Sequence, residues 1–189
     1  MVEAGEFVVP GEELGFSEEF IPGRGTYEEN GRIFASLTGV LKIDMKERRI
    51  EVEPKTNTIP EPRVGDVAIC RVVDVKQQFA LVRLIRLLRS SRELPGNVYG
   101  TIHISQLRSS YVQDIDREIK VGDIVLAKVT NTRRVPIALS TVATNLGAIK
   151  AYCTTCNIAL KLQGRRLVCP NCGRYESRKY SSEYGKGVI

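Results

Sequence analysis

Two pairs of cysteines, Cys153 with Cys156 and Cys169 with Cys172, are the residues in this chain best suited to do chemistry. Two thiolates three positions apart on a tight turn can point at one ion, and two such turns supply the four soft ligands of a tetrahedral site. A closed set of four leaves no coordination position for water or substrate, so a zinc ion held there would be structural. Gly173 follows the second pair and Pro170 lies inside it, residue types that suit backbone turning sharply beneath a metal. The spacing by itself also admits two disulfides, an iron site built on paired C-x-x-C turns, or one redox-active pair. The fifth cysteine, Cys70, stands alone among strong β formers and reads as a buried, inert thiol.

Between the two pairs, residues 158–162 and 167–168 read as short strands about a turn at 163–166, the spacer of a zinc ribbon. Residues 174–180 alternate ring and charge and suggest a last strand of that ribbon, in which Tyr175 and Tyr180 either stack on bases or pack inside. Residues 184–189, rich in glycine, read as a frayed end. So few residues bury little apolar surface, and the metal must supply much of the segment's stability.

Charge divides the rest. Residues 1–60 carry seven Lys/Arg against twelve Asp/Glu, residues 61–145 thirteen against eight, and residues 146–189 eight against two. An acidic head with a basic middle and end implies different partners for different parts, with phosphates suited to the basic ones. In the head, turn signals recur every few residues around a short apolar run at 7–9, a strand at 33–43 and its return at 48–52, which predicts a small β-rich module. Its Glu-Glu pairs at 12–13, 18–19 and 28–29 suit a solvated or docking face, and residues 56–62, with two prolines, suit a linker. There is no charged leader before an apolar core and no run of about eighteen apolar residues, which predicts a cytoplasmic chain.

The middle opens on Val64-Gly65-Asp66-Val67 and a strand, and Val121-Gly122-Asp123 precedes a second strand in the same way. Residues 79–89 are ambiguous: Leu81, Leu84, Ile85 and Leu88 fit a helical stripe, whereas Phe79, Leu81 and Arg83 alternate as in a strand. Arg83, Arg86 and Arg89 form one basic stripe if helical, and on a strand Arg86 faces away from the other two. Five short strands in this span fit a barrel of the oligonucleotide/oligosaccharide-binding kind, the OB-fold. The span resembles the S1 RNA-binding domain through V-G-D-V at 64–67, G-T-I-H-I-S-Q-L at 100–107, V-G-D-I-V at 121–125 and I-A-L-S at 137–140. That resemblance implies single-stranded RNA binding by Phe79, His103 and the nearby Lys76 and Arg83, with rings stacking on bases and cations following phosphates. Arg133 and Arg134, in the turn before the last strand, extend the basic patch. Family members often show two aromatics near the position of Phe79; here Ala80 and Leu81 stand instead, which thins the stacking platform.

The order of parts resembles one family along the full length: a head with Pro10-Gly11-Glu12 and Gly25-Thr26-Tyr27-Glu28, then an S1 barrel, then a four-cysteine ribbon with C-P-x-C-G. That family is the zinc-ribbon cap subunit of the archaeal RNA exosome, the Csl-type cap. The resemblance implies an all-β chain with a docking domain at 1–60, an S1 domain at 61–145 and a zinc ribbon at 146–189 holding one Zn2+. It further implies a noncatalytic subunit that docks on a ring of RNase PH-type proteins and threads RNA toward 3′-to-5′ phosphorolysis or tailing, with an archaeal primase-like (DnaG-type) protein as a possible partner. A zinc-ribbon translation or transcription factor bound to a ribosome or polymerase, and an electron carrier with iron on its thiolates, are the competing readings.

Overall fold

A computed structural model describes residues 3–56 and 58–187. It is built from sixteen strands, and its only helices among the described residues are two single 3-10 turns. The chain divides into two compact units, Met1–Thr58 and Ile59–Ile189.

The first unit is two small sheets around one core. Strands β1 (Phe7–Val8), β6 (Gly39–Asp44), β7 (Arg49–Pro54) and β3 (Ile21–Pro22) form one sheet, in that order, and β2 (Glu13–Phe16), β5 (Arg32–Ala35) and β4 (Thr26–Glu29) form the other. Val8, Leu14, Ile33, Ala35, Leu41, Ile50 and Val52 fill the space between. The single strand expected over residues 33–43 is therefore two strands in different sheets. A module this small buries an apolar face only by laying one sheet over another, so the chain bends at residues 36–38 and changes layer. Gly39 permits the crossing: a Cβ there would lie 2.1 Å from the Glu53 carbonyl oxygen. The acidic pairs stay at the surface, with Glu13 bound to Arg32 at 2.9 Å.

The second unit begins as a closed barrel of β8 (Val67–Val75), β9 (Phe79–Leu87), β10 (Tyr99–His103), β11 (Ile124–Asn131) and β12 (Ile137–Ser140). Pairing runs β12-β10-β9-β8-β11, and β11 returns to β12 to close the ring. The parallel β10–β12 seam has Gly100 opposite Ile137. A side chain at Gly100 would bring its Cβ within 2.7 Å of Leu139 Cδ1, so the glycine that opens the G-T-I-H-I-S block is what lets the seam shut. The interior is filled by small and aliphatic side chains, with Ala68, Cys70, Val72, Val82, Leu84, Ile102, Val129 and Leu139 nearly inaccessible.

Residues 79–87 are a strand, which settles the helix-or-strand ambiguity. The helical appearance comes from a bulge near Ile85, where Ile69 pairs with Arg86 but Cys70 with Leu84. The extra residue resets the alternation, so Arg86 lies opposite the outward Ile69 and does not face away from Arg83.

The two V-G-D turns are structural twins. Asp66 accepts a hydrogen bond from the Arg63 N–H and Asp123 one from the Lys120 N–H, each three residues back. Gly65 N–H bonds the Val129 carbonyl and Gly122 N–H the Val72 carbonyl, so each turn closes on the other's strand. Strand β13 (Gly147–Lys150) extends the barrel sheet beside β11. The ribbon follows, a sheet of β14 (Lys161–Gln163), β15 (Arg166–Val168) and β16 (Tyr175–Glu176). The last strand is shorter than residues 174–180, because the chain leaves it to return to the barrel. There Tyr180 bridges in parallel to Ala148. Tyr184, expected in a frayed end, is 8% exposed, its hydroxyl donating to the Leu160 carbonyl at 2.9 Å and accepting from the Ala151 N–H at 3.2 Å. Residues 188–189 lie outside the described residues. No described helix is long and apolar enough to cross a membrane.

Candidate metal centre and nucleic-acid face

The four ribbon cysteines converge. Their sulfurs all lie within 4.8 Å of one another, and Cys153 Sγ and Cys172 Sγ are 3.8 Å apart. A tetrahedron with metal–sulfur bonds of about 2.3 Å has edges near 3.8 Å. A disulfide needs about 2.05 Å, and all five cysteines are free. The residues present therefore fit a four-thiolate metal ion.

Two matching turns set this geometry. In the first, Cys153 N–H donates to the Ile158 carbonyl and Asn157 N–H to the Cys153 carbonyl. In the second, Cys169 N–H donates to Arg174 and Gly173 N–H to Cys169 in the same pattern. The residue after each second cysteine takes a left-handed φ, +54° at Asn157 and +69° at Gly173. Asparagine is the residue other than glycine that tolerates this region best. Sequence reading picked out Gly173 and passed over Asn157, whose only signal was its place in the repeat.

The sulfurs' protons are unevenly held. Backbone N–H groups of Cys172 and Asn171 pull the Cys169 thiol down to about 7. The Arg174 N–H also favours a thiolate at Cys172, but Cys169 and Cys156 beside it prevail and push it up to about 11. Four sulfurs this close cannot all ionise without a cation among them. Cys70, by contrast, is wholly buried in the barrel and burial pushes its thiol far up, so it is inert.

Of the sequence-predicted RNA residues, Phe79, Arg83 and His103 fall on the outer surface of β9 and β10, and Lys76, Arg133 and Arg134 on loops beside them. Phe79, Leu81 and Arg83 project outward from β9, and their register partners are His103, Thr101 and Tyr99. Phe79 thus lies directly opposite His103, and Lys76 sits in the hairpin beside them, its N–H bonded to the Phe79 carbonyl. Phe79 remains 40% exposed, a large share for a phenylalanine on a folded strand. His103 also has a local duty: its Nδ1 accepts from the Ser105 N–H and meets the Ser105 hydroxyl at 2.9 Å, capping the 3-10 turn Ile104–Gln106. Lys76 pairs with Asp74 at 2.9 Å, and both stay exposed.

Arg83 stands apart from that group, at the far end of β10 about 13 Å away by strand rise. Arg133 and Arg134 are exposed in the loop before β12, whose first residue lies beside Gly100, so they too belong to the Arg83 end. The site is thus a strip with two ends. Tyr99, opposite Arg83 and 38% exposed, adds an aromatic that sequence reading missed. Only strand pairing reveals it, since Tyr99 is four residues from His103 and sixteen from Arg83. Arg71, Arg83 and Tyr99 line one shallow groove there.

One buried charge cluster joins barrel and ribbon. Arg178, 1% exposed at its side chain, donates to Asp123 from the second V-G-D turn and to Glu176 from β16, each at 2.8 Å. Burial works against the Glu176 carboxylate, but bonds from the Thr154 N–H, Arg178 and the Thr154 hydroxyl outweigh it and hold the group at about 2.

Comparison with known proteins places these features in a family. The model described as the exosome complex exonuclease RRP4 N-terminal region matches residues 7–44, and that of the S1 RNA binding domain matches residues 93–141. The exosome complex component Csl4 of Archaeoglobus fulgidus is 36% identical over 96% of this chain and 98% of its own. The human exosome complex component CSL4 is 30% identical over 92% and 91%, and the Rrp4 component of Methanobrevibacter smithii is 40% identical over 71% and 40%. With two β modules, a four-cysteine ribbon and that identity over nearly its whole length, the chain belongs to the Csl4 family of exosome complex components.

Proposed function

We propose that this chain is a noncatalytic, RNA-guiding cap of an exosome. Its N-terminal docking domain, residues 1–60 with their surplus of acid, grips a ring of RNase PH-type proteins. Its barrel, residues 61–145, receives single-stranded RNA and feeds the strand to the ring for 3′-to-5′ phosphorolysis and tailing. Its ribbon, residues 146–189, holds one Zn2+ on Cys153, Cys156, Cys169 and Cys172. The ion stabilises the fold and takes no substrate, since four thiolates complete its coordination. Such an assembly works in the cytoplasm, and an archaeal DnaG-type primase-like protein is a further partner.

The observation that carries this reading is the Phe79–His103 pair, an exposed ring opposite an imidazole on the outer surface of a barrel of S1 type. Stacking there needs no base identity, and the cations Lys76, Arg83, Arg133 and Arg134 along the strip supply sequence-independent attraction. Affinity capture on the full chain from native extract tests the assembly. RNase PH-type proteins should be recovered in near-stoichiometric amounts; ribosomal subunits or polymerase in their place would overturn the reading. Phe79→Ala with His103→Ala should weaken binding of single-stranded RNA about fivefold or more.

A further inference from the structure

The ribbon sheet and the barrel border a groove of about 550 Å3, lined by Arg108, Arg165, Arg166, Tyr175, Arg178 and Tyr180 among others. Its charges are not balanced. Arg108 is answered by Glu118 at 2.5 Å, and Arg178 by Asp123 and Glu176. The Glu176 carboxylate is directed inward to Arg178 and Thr154, with Lys120 4.0 Å away. Arg165 and Arg166 are exposed, and neither has a carboxylate partner among the described residues. The groove thus keeps two uncompensated cations side by side.

An aromatic stands with them. Tyr175 is 63% exposed and belongs to none of the core clusters, and the Arg166 guanidinium lies 5.7 Å from its ring centroid. Tyr180 donates its hydroxyl to the Arg165 carbonyl at 3.4 Å, fixing the Arg165 turn at the groove's edge. An open ring with one guanidinium against it and a second arginine in the same groove, neither engaged by a carboxylate, is the combination that holds single-stranded nucleic acid, where the ring takes a base and the cations take successive phosphates. An acidic peptide would use the arginines but not the plate.

We propose that this groove is a second site for single-stranded RNA, with phosphates on Arg165 and Arg166 and a base on Tyr175. The inference rests on the reading of the barrel as an RNA-binding module, and extends the strand's path from the barrel onto the ribbon. The test is fluorescence anisotropy of the full, zinc-loaded chain with a short labelled oligoadenylate across a range of salt. Arg165→Ala with Arg166→Ala should flatten the slope of log affinity against log salt by about 1.4, two phosphates at about 0.7 each. Tyr175→Ala should weaken binding about fivefold or more, and Tyr175→Phe should restore it. Phe79→Ala with His103→Ala serves as the reference on the barrel. Loss of affinity in the barrel variant, with wild-type affinity and slope in both groove variants, would overturn the groove and leave the barrel reading intact. Loss in the groove variants alone would support the groove and count against the barrel. Unchanged RNA binding in the arginine variant, together with loss of a labelled oligoglutamate peptide, would assign the groove to an acidic protein segment and overturn the proposal. A wild-type chain with no affinity for the RNA would remove both sites.

Discussion

Cys169 and Cys172 sit three positions apart and hold their protons very differently, because one receives backbone N–H groups and the other meets sulfurs. A divalent ion removes that conflict, so losing one donor of four costs more than a quarter of the binding. Cys169→Ser should drop the metal content from about one zinc per chain to near zero after challenge with a chelator that leaves wild type loaded, as read by elemental analysis. Glu176 gives a pH prediction. Its carboxyl sits at about 2 against an ordinary 4.5, so on acidification the unfolded chain takes up the proton first. The stabilisation is complete above about 4.5 and is lost as the pH falls from there to about 2. Glu176→Gln should therefore be less stable than wild type by about 3 kcal/mol at neutral pH, and the gap should close over that acid range in urea unfolding. A gap independent of pH would refute the assignment. At this scale the sequence was most legible where spacing is chemistry: the four cysteines could be named from two C-x-x-C pairs. Tyr99 could not, because it shares a surface with Arg83 only through the β9–β10 register.

The elements repeat in pairs, and the pairs show which sequence signals were real. The doubled V-G-D was legible as a repeat before two strands; that each turn closes on the other's strand comes only from the fold. The doubled metal turn was half legible, since Asn157 does the work of Gly173 with a side chain attached. Asn157→Gly should be neutral within about 0.5 kcal/mol, whereas Gly173→Val should cost about 1–2 kcal/mol, measured by thermal unfolding with zinc in excess. At the barrel seam, Gly100→Val should destabilise by about 2–3 kcal/mol, because the new side chain meets Leu139 and the Ile137 carbonyl. The illegible elements were those where a local irregularity changes the period. The bulge near Ile85 imitates a helical stripe, and the bend at 36–38 splits an apparently continuous strand between two layers.

The molecule as a whole is two units with separate cores, one acidic in sequence and one basic, and only the second carries the cysteines. Calorimetry on the full chain should show two transitions, of which only one falls in temperature when zinc is stripped. The break near residue 58 is foreshadowed by prolines and by the change of charge. Nothing in the letters announces that β13 belongs to the barrel sheet, or that the chain returns there after the ribbon, since such pairings join residues more than twenty positions apart.

That return has a consequence for the order in which the chain comes apart. The entry strand β13 and the returning chain meet in a bridge at Ala148 and Tyr180, so the ribbon is an excursion moored at both feet and not a loose appendage. With an ion on the four cysteines, stripping it should open a loop still tethered through the Ala148–Tyr180 bridge. Trimming from the C-terminus, by contrast, unfastens the clasp at Tyr184 before it reaches a single metal ligand.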